Sequence, residues 1–366
     1  MQLAAQLGRV ESAAMPDAFS LGDFEAIART SMAREHFDYV AGGAGEERSI
    51  AENRAAFHRY QLRPRVLVDV SHVELGTTLL GTPVALPVGV APMAMQGLAH
   101  PEGELPLAGG AAAAGALYCL STVSSRSLEE VAEVSNGPRW FQLYVNNRPQ
   151  ARRLVERAEA AGYGAIVLTV DLPELGYRER DLRNRFELNG PWGNLPANEQ
   201  GGLDDLLDMR GVALTWADLD EIRSWSSLPL VIKGILTADD ALLAIEHRAD
   251  AIVVSNHGGR QLDGVVAPVD ALAEVVAAVD GRSEVYLDGG VRRATDVLVA
   301  LALGARGVFI GRPFFYALSL GEEGVARAFA ILREELELAM ALLGTPSLDG
   351  IGPEHVRRAA RIGGDA

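Results

Sequence analysis

The segment 255–264, with the sequence SNHGGRQLDG, carries the residues of this chain best suited to chemistry. It directly follows Ala251–Val254, an apolar run whose β-branched residues predict a buried strand. The imidazole of His257 can accept a proton, and the guanidinium of Arg260 can hold a carboxylate through two hydrogen bonds. The adjacent glycines allow a flat ligand to approach the backbone. Such a loop after a strand is typical of the active site of a barrel enzyme.

Short apolar runs alternate with helical patterns along most of the chain. They predict eight strands, over residues 84–91, 116–121, 139–145, 165–170, 229–233, 251–255, 284–288 and 307–310. Apolar residues at three- and four-residue spacing predict helices between them, over residues 150–161, 239–248, 268–279 and 294–303. Eight apolar strands with crossover helices favour an α/β fold of the closed (β/α)8 TIM-barrel type over an open doubly wound sheet.

Two segments lie outside this alternation. Residues 1–83 precede the first predicted strand, and helical spacing over residues 20–41 predicts an N-terminal helical extension that packs on the barrel of residues 84–366. Residues 187–215, rich in Gly, Asn and Asp, separate the fourth and fifth strands. A stretch of this length without a structural pattern is usually an active-site lid or disordered, and either places mobile backbone over the barrel mouth.

The composition excludes several classes of protein. The chain has 366 residues, of which 48% are hydrophobic and 22% charged, as in ordinary globular proteins with a substantial core. A net charge of −16 argues against general affinity for nucleic acid or anionic membranes. No apolar run approaches the roughly 20 residues of a membrane span, and no signal-like segment opens the chain. The single cysteine, Cys119, excludes an internal disulfide, and we expect a cytoplasmic protein without a metal site.

Every predicted strand carries polar or small residues near or just after its carboxyl end. In chain order they are Pro92, Met93 and Ala94; Ser121; Gln142 and Tyr144; Thr169, Asp171 and Arg178; Lys233; His257 and Arg260; Asp288, Gly290 and Arg292; and Gly311 and Arg312. Because parallel barrel strands end on one face, we expect these residues to form one shared site.

The last two strand ends predict a phosphate site. A Gly-Gly-x-Arg turn follows the seventh strand and a Gly-Arg turn follows the eighth, so backbone N–H groups and two guanidiniums meet at the usual phosphate corner of this barrel. A phosphate alone requires nothing from the earlier strands, whereas Ser121, Gln142, Thr169 and Lys233 suit a flat, hydrogen-bonding ring. Together these features indicate a mononucleotide cofactor, for which flavin mononucleotide (FMN) is the natural candidate.

Five motifs carry a resemblance to a known family. They are SNHGGRQLDG at 255–264, FQLY at 141–144, LTVD at 168–171, VIKG at 231–234 and LDGGVRR at 287–293. With them the chain resembles the FMN-dependent L-2-hydroxy-acid oxidases and dehydrogenases, which include glycolate oxidase, lactate oxidase and the mandelate and hydroxymandelate enzymes. The resemblance extends from about residue 24 to about residue 343.

The resemblance implies a role for the residues nearest the reaction. His257 would be the base that removes a proton from the alcohol or the α-carbon of the substrate, and Asp171 would stabilise its charged form. Arg178 and Arg260 would hold the substrate carboxylate and so orient the reacting carbon. Whether a hydride or a carbanion carries the electrons stays open.

Other positions would contact the substrate or the cofactor. Tyr39 and Tyr144 match phenols that hydrogen-bond the substrate, and Lys233 matches a cation that stabilises the reduced flavin. The remaining cofactor contacts implied are Pro92, Met93, Ala94, Ser121, Gln142, Thr169, Ser255, Asp288, Gly290, Arg292, Gly311 and Arg312.

Two departures from the family pattern bear on the substrate. Met93 replaces the threonine usual in glycolate oxidases, and Val123 replaces a tryptophan near the substrate side chain. The smaller Val123 opens space, whereas Ala94 matches the enzymes that act on small substrates. We expect the substrate to be a 2-hydroxy acid with a side chain of lactate size or larger, a range that includes aromatic acids.

The electron acceptor is expected to be oxygen. No cytochrome domain precedes the barrel, and residues 187–215 are polar rather than membrane-seeking, which favours an oxidase that releases hydrogen peroxide. A soluble dehydrogenase with another acceptor and a decarboxylating monooxygenase remain alternatives. A flavin-dependent isomerase and a non-catalytic flavin-binding protein are alternatives of other classes. The resemblance also implies a homo-oligomer, either a tetramer or an octamer.

Overall fold

The computed structural model describes residues 17–188, 190, 192–195 and 214–359. Within these ranges, eight parallel strands form a closed barrel, which confirms the predicted (β/α)8 TIM-barrel fold. The barrel closes where its last strand pairs with its first, with Phe309 opposite Gly89. The strands are β1 (Tyr60–Leu62), β2 (Thr77–Leu79), β3 (Thr82–Val84), β4 (Val88–Val90), β5 (Leu117–Ser121), β6 (Arg139–Leu143), β7 (Ile166–Thr169), β8 (Leu230–Ile235), β9 (Ala251–Val254), β10 (Glu284–Asp288), β11 (Gly307–Ile310) and β12 (Val356–Arg358), of which β4 to β11 form the barrel.

Helices surround the barrel. They are α1 (Asp23–Ser31), α2 (Arg34–Ala41), α3 (Arg48–Ala55), α4 (Leu105–Ala113), α5 (Leu128–Val134), α6 (Arg148–Ala160), α7 (Glu179–Asn184), α8 (Asp218–Arg223), α9 (Ala238–Glu246), α10 (Pro268–Val279), α11 (Ala294–Ala302), α12 (Arg312–Leu318) and α13 (Gly321–Leu343). The four helices predicted from spacing correspond to α6, α9, α10 and α11, with ends displaced by at most two residues. In the described ranges no helix has the length and apolar character needed to cross a membrane.

Large aromatic side chains fill the inside of the barrel. Trp140, Tyr286 and Phe309 are buried there, and their ring centroids lie 5.5 to 5.8 Å apart. The next residue along β6, Phe141, packs outward and contacts the ring of Tyr163, as the alternation of a strand requires. Because the interior is filled by side chains, a ligand has room only at the mouth of the barrel.

The N-terminal segment packs across one end of the barrel. Helix α1 contacts α12, and β1 pairs antiparallel with β12 near the other end of the chain. The segment 20–41, in which the spacing predicts helical structure, forms two separate helices, α1 and α2. Met32 has extended backbone angles (φ −88°, ψ 154°), and the hydroxyls of Thr30 and Ser31 both donate to the carbonyl of Ile27. These side chains compete for backbone groups and end the helix.

The first predicted strand, 84–91, is also divided. Val84 belongs to β3, which pairs with β2 in a separate two-stranded sheet, and the barrel strand begins only at Val88. Pro87 lies between them and has no N–H to donate, although its carbonyl accepts the N–H of Val308. A proline inside an apolar run therefore marks the junction of two strands.

Most of the expected lid, residues 187–215, lies outside the described residues. The described part around Asn194 is packed against the loop that follows β5. The Asn194 side chain donates to the carbonyls of Ser121 and Thr122 and accepts the N–H of Leu128 at 2.8 Å.

We predict that Trp140→Ala lowers the free energy of unfolding by about 3–5 kcal/mol, because it opens a cavity among packed rings. Urea unfolding followed by circular dichroism measures this change. Val134→Ala is the control, since that residue is 48% exposed at the end of α5 and its truncation should change stability by less than about 0.5 kcal/mol. Equal effects of the two substitutions would contradict the packing described here.

Candidate active site

A cavity opens at the carboxyl ends of the barrel strands. Counted out to its open mouth, it encloses about 1110 Å³. Nearly all strand-end residues singled out from the sequence line it: Tyr39, Pro92, Met93, Ala94, Ser121, Tyr144, Thr169, Arg178, Lys233, His257, Arg260, Asp288, Gly290, Arg292, Gly311 and Arg312. The structure therefore brings residues from all eight strand ends, together with Tyr39 from α2, into one site.

Three of the predicted residues lie behind the cavity wall. Asp171, Gln142 and Ser255 do not line the cavity, but each one hydrogen-bonds a side chain that does. Their contacts hold the wall in place.

His257 and Asp171 form a hydrogen-bonded pair. The imidazole Nδ1 lies 2.8 Å from Oδ1 of Asp171. Burial opposes ionisation of Asp171, but His257 and Lys233 outweigh it and lower the pKa of this carboxyl. An ionised carboxylate can only accept, so Nδ1 carries the proton and Nε2 keeps its lone pair. Burial also lowers the pKa of His257, although Asp171 opposes this, and the imidazole is therefore neutral at neutral pH.

Arg178 and Arg260 lie side by side on the cavity wall. Nε of Arg178 donates to the carbonyl of Arg260 at 3.4 Å, and Arg260 donates to the carbonyls of Tyr39 (2.6 Å) and Gly42 (3.0 Å). The Arg260 guanidinium also covers the Tyr39 ring at 4.8 Å. Burial, followed by repulsion from Arg260, lowers the pKa of Arg178 to about 10.

Arg292 and Arg312 form a second cationic region at the ends of β10 and β11. Arg312 donates to three carbonyls, those of Val40 (2.9 Å), Gly42 (3.0 Å) and Gly258 (2.9 Å). The guanidinium of Arg292 donates to the carbonyl of its neighbour Val291 at 2.8 Å. Burial, with repulsion from Arg260, lowers the pKa of Arg312 to about 9, and burial also lowers the pKa of Arg292.

Lys233, on β8, carries a buried positive charge at the cavity wall. Its Nζ lies 3.3 Å from Oδ2 of Asp288 and donates to the Ser255 hydroxyl at 3.0 Å. Burial disfavours the ammonium ion, but Asp288 and Asp171 outweigh it and raise the pKa of Lys233. The other carboxylate oxygen of Asp288, Oδ1, is buried and has no hydrogen-bond partner among the described residues. A ligand hydroxyl or N–H group would satisfy it.

A chain of side-chain hydrogen bonds lies behind the opposite wall. Ser121 donates to Oε1 of Gln142 at 3.1 Å, and Nε2 of Gln142 donates to the Thr169 hydroxyl at 3.0 Å. The amide of Gln142 thereby fixes two hydroxyls that line the cavity. They can hydrogen-bond the polar edge of a ring.

In the part of the chain that the structure describes, no carboxylate lies within ion-pair distance of Arg178, Arg260, Arg292 or Arg312. Buried cations are costly unless they are paired, so this cavity is suited to anionic ligands. A phosphate at Arg292 and Arg312 and a carboxylate at Arg178 and Arg260 would supply the missing charge.

The sequence did not reveal the backbone oxygens that hold these arginines. The carbonyls of Tyr39, Val40 and Gly42 belong to the end of α2, where the last carbonyls of a helix have no partner within the helix. The glycines at 42–43 indicate the end of this helix, but they do not indicate which groups the last carbonyls of the helix bind. The sequence also missed Leu172 and Phe315, which line the cavity.

Comparisons with known proteins agree with this site. The family model for FMN-dependent dehydrogenases matches residues 28–358. The chain belongs to the FMN-dependent dehydrogenase family. It is 51% identical to L-lactate oxidase of Nostoc sp. over 358 residues, which is 92% of this chain and 98% of the relative. It is 46% identical to glycolate oxidase of Spinacia oleracea over 351 residues, which is 92% of this chain and 95% of the relative.

Solved structures give the same result. A crystal structure of mandelate oxidase with (S)-4-hydroxymandelic acid has a TM-score of 0.87 and 43% sequence identity, and the match covers 94% of this chain and all of the other. As a member of the FMN-dependent dehydrogenase family, the chain uses FMN and oxidises 2-hydroxy acids to 2-oxo acids. The cavity fits this cofactor, because FMN combines a phosphate with a polar, hydrogen-bonding ring.

We predict that inorganic phosphate stabilises the FMN-free protein by supplying a counter-ion to Arg292 and Arg312. At a concentration 100 times its dissociation constant, a ligand adds about 2.7 kcal/mol. Thermal unfolding in phosphate and in chloride at equal ionic strength measures the effect, which should shrink in Arg292→Met. Arg282→Met is the control, because Arg282 also donates to backbone carbonyls but lies away from the cavity. An equal response to both salts would contradict the prediction.

Proposed function

We propose that this chain oxidises an L-2-hydroxy acid of lactate size or larger and passes the electrons to oxygen. The balanced reaction converts R–CH(OH)–COO⁻ and O₂ into R–CO–COO⁻ and H₂O₂. The observation that carries the proposal is one cavity that holds a neutral imidazole together with two guanidiniums, neither of which has a carboxylate of the described residues within ion-pair distance.

His257 is proposed to take the proton that the substrate loses. Its Nε2 is free to accept because Nδ1 is directed to Asp171. Once protonated, the imidazolium lies beside an ionised carboxylate, which stabilises the new charge. Asp171 therefore acts through His257 and need not touch the substrate.

Arg178 and Arg260 are proposed to bind the substrate carboxylate. Both line the cavity, and the carbonyls of Tyr39 and Gly42 hold Arg260 in position. Two guanidiniums fix the orientation of a carboxylate better than one, which brings the α-carbon into reacting geometry. Burial raises the pKa of Tyr144, so its phenol stays protonated and can donate a hydrogen bond to the substrate.

FMN, when bound, supplies the two-electron acceptor that takes electrons from the substrate and passes them to oxygen. Arg292, Arg312 and Gly290 are proposed to hold its phosphate, and Ser121 and Thr169 its ring. Pro92, Met93, Ala94, Gly311, Asp288, Gln142 and Ser255 complete the proposed cofactor site, directly or through the side chains they hold. Lys233 would stabilise the negative charge that a reduced ring gains.

The proposed size of the substrate side chain is based on the residues that line the cavity. Val123 and Leu172 line the cavity together with Met93, and these residues give an apolar surface with few polar groups. An apolar side chain on the substrate would pack against them. The relatives named for lactate and mandelate fall within the proposed range of side-chain sizes, and the relative named for glycolate lies below it.

The proposal extends to the assembly and the compartment. A homo-oligomer, as a tetramer or an octamer, is supported by Leu338 and Leu342, which lie one turn apart on α13 and are 62% and 69% exposed. A reducing cytoplasm suits the single cysteine, Cys119, which is free and buried.

We predict that kcat/KM is constant near neutral pH and falls only on acidification below the ordinary imidazole value of about 6.5. The base must be neutral, and the pKa of His257 is lowered by burial. Asp171→Asn should move this acidic limb to still lower pH, because Asp171 raises the pKa of His257. It should also slow the reaction at the plateau, since the imidazolium then lacks its carboxylate. Steady-state rates between pH 4.5 and 9 measure both effects.

His257→Ala tests the base directly. Anaerobic reduction of the bound flavin should slow by about 10²- to 10⁴-fold, with the protein still yellow. His72→Ala, at an exposed histidine, should behave as the unmodified protein. Unchanged reduction in His257→Ala would refute the assignment.

A panel of L-2-hydroxy acids tests the function as a whole. L-Lactate or L-mandelate should exceed glycolate in kcat/KM, and Val123→Trp should narrow this difference by filling the cavity wall. One hydrogen peroxide should form per acid oxidised under air. A higher kcat/KM for glycolate would contradict the substrate proposal. Oxygen uptake without release of peroxide would favour a decarboxylating monooxygenase. Reduction of the flavin by the acid without oxygen uptake would favour a dehydrogenase.

A further inference from the structure

The turn that carries His257 has an uncommon backbone conformation. His257, Gly258 and Gly259 all have positive φ angles, of 56°, 63° and 78°. Glycine adopts this left-handed region without strain, but a residue with a Cβ rarely does. His257 can therefore hold this conformation only if the surrounding contacts enforce it.

Asn256 provides one of these contacts. Its Oδ1 accepts the N–H of Gly259 at 3.1 Å, which closes the turn around His257. Its Nδ2 donates to the carbonyl of Val266 at 3.3 Å, further along the same loop. The Asn256 amide therefore links both sides of the loop, provided that its orientation is fixed.

Asn53 on α3 fixes that orientation. The two amides form a reciprocal pair, with Nδ2 of Asn53 donating to Oδ1 of Asn256 at 2.8 Å and Nδ2 of Asn256 donating to Oδ1 of Asn53 at 2.7 Å. Both residues are buried, so water cannot replace either bond without cost.

Asn53 is itself held from the other side. A Cβ at Gly290 would lie only 2.0 Å from the Asn53 carbonyl oxygen, so α3 presses against the loop after β10 as well. Asn53 does not line the cavity and thus has no part in binding substrate. Whatever it contributes to the reaction must act through the turn.

We propose that Asn53 is a positioning residue for His257, whose amide pair with Asn256 holds the left-handed turn that keeps the imidazole on Asp171. The inference rests on the proposed function, in which His257 takes the substrate proton. Removing the pair frees the Asn256 amide to rotate, and the turn relaxes toward backbone angles that a histidine prefers. The imidazole then leaves Asp171, whereas Arg260 and Arg312 stay bound to carbonyls at the end of α2, outside the turn.

The test is Asn53→Leu, which keeps the size of the side chain and removes both hydrogen bonds. We expect kcat per bound flavin to fall by about 10- to 100-fold, since a displacement of about 1 Å has an effect of that size. KM for L-lactate or L-mandelate should change by less than threefold, because Arg178 and Arg260 are not touched. The dissociation constant of acetate, followed through the flavin absorbance, should likewise change by less than threefold.

The pH profile separates positioning from general loss of structure. The charged groups that act on His257 are Asp171, Lys233 and Arg178. If the imidazole leaves Asp171, it loses the contact that favours its charged form, so the acidic limb of kcat/KM should move to lower pH in Asn53→Leu. A purely structural residue would change the yield or the melting temperature and leave this limb in place.

Ser49→Ala is the matched control. Ser49 is also buried on α3, and its hydroxyl accepts the N–H of Gly264 at 2.8 Å, at the far end of the same loop. It should keep kcat within threefold and leave the acidic limb unmoved. If Asn53→Leu does not fold, the smaller Asn53→Ala also removes both hydrogen bonds without adding a charge, and it should change kcat and the acidic limb in the same directions.

Two results would overturn the inference. One is an Asn53→Leu protein with kcat per flavin within twofold of the unmodified chain and an unmoved acidic limb. The other is a loss of kcat matched by equal losses in acetate and FMN affinity, which indicates a disordered site. Failure of the unmodified protein to be reduced by any 2-hydroxy acid is a different result, because it would reject the proposed function itself.

Discussion

The site depends on a group of guanidiniums gathered at the barrel mouth, none of which has a carboxylate within ion-pair distance among the residues that the structure describes. Arg178, Arg260, Arg292 and Arg312 line one cavity, and burial, followed by repulsion from Arg260, lowers the pKa of Arg178 and of Arg312. Backbone carbonyls accept hydrogen bonds from all four guanidiniums, but carbonyl dipoles carry only partial charges. The remaining positive charge favours ligands with two separate anionic groups at fixed places. A phosphorylated cofactor and a carboxylate substrate together meet that requirement.

The carbonyls that hold these arginines come from the segment before the barrel. Helix α2 ends at Ala41, and its final turn directs oxygens at Arg260 and Arg312, where the helix dipole is negative. The following helix, α3, contacts the turn of His257. The N-terminal segment thus provides part of the active-site scaffold, through carbonyls that hold Arg260 and Arg312.

The sequence predicted side chains better than it predicted the groups that hold them. The barrel could be predicted because apolar β-branched runs, repeated eight times with helices between, fit few other folds. The site could be predicted because parallel strands end on one face. The role of the backbone oxygens of Tyr39 and Val40 could not be predicted, because every residue has a carbonyl and only the fold selects which carbonyls meet an arginine. Asn53 lies 203 residues before its partner Asn256, and nothing in its neighbourhood marks it.

The total charge of the chain and the charge of its site have opposite signs, and the difference has a physical consequence. With a net charge of −16, the molecule as a whole repels anions. Salt screens this repulsion beyond about 8 Å at physiological ionic strength, whereas the cavity cations act at contact distance and in a medium less polar than water. Long-range steering therefore contributes little to binding, and selection takes place inside the cavity. A ligand is retained when its anionic groups reach the arginines and the rest of it fits between them.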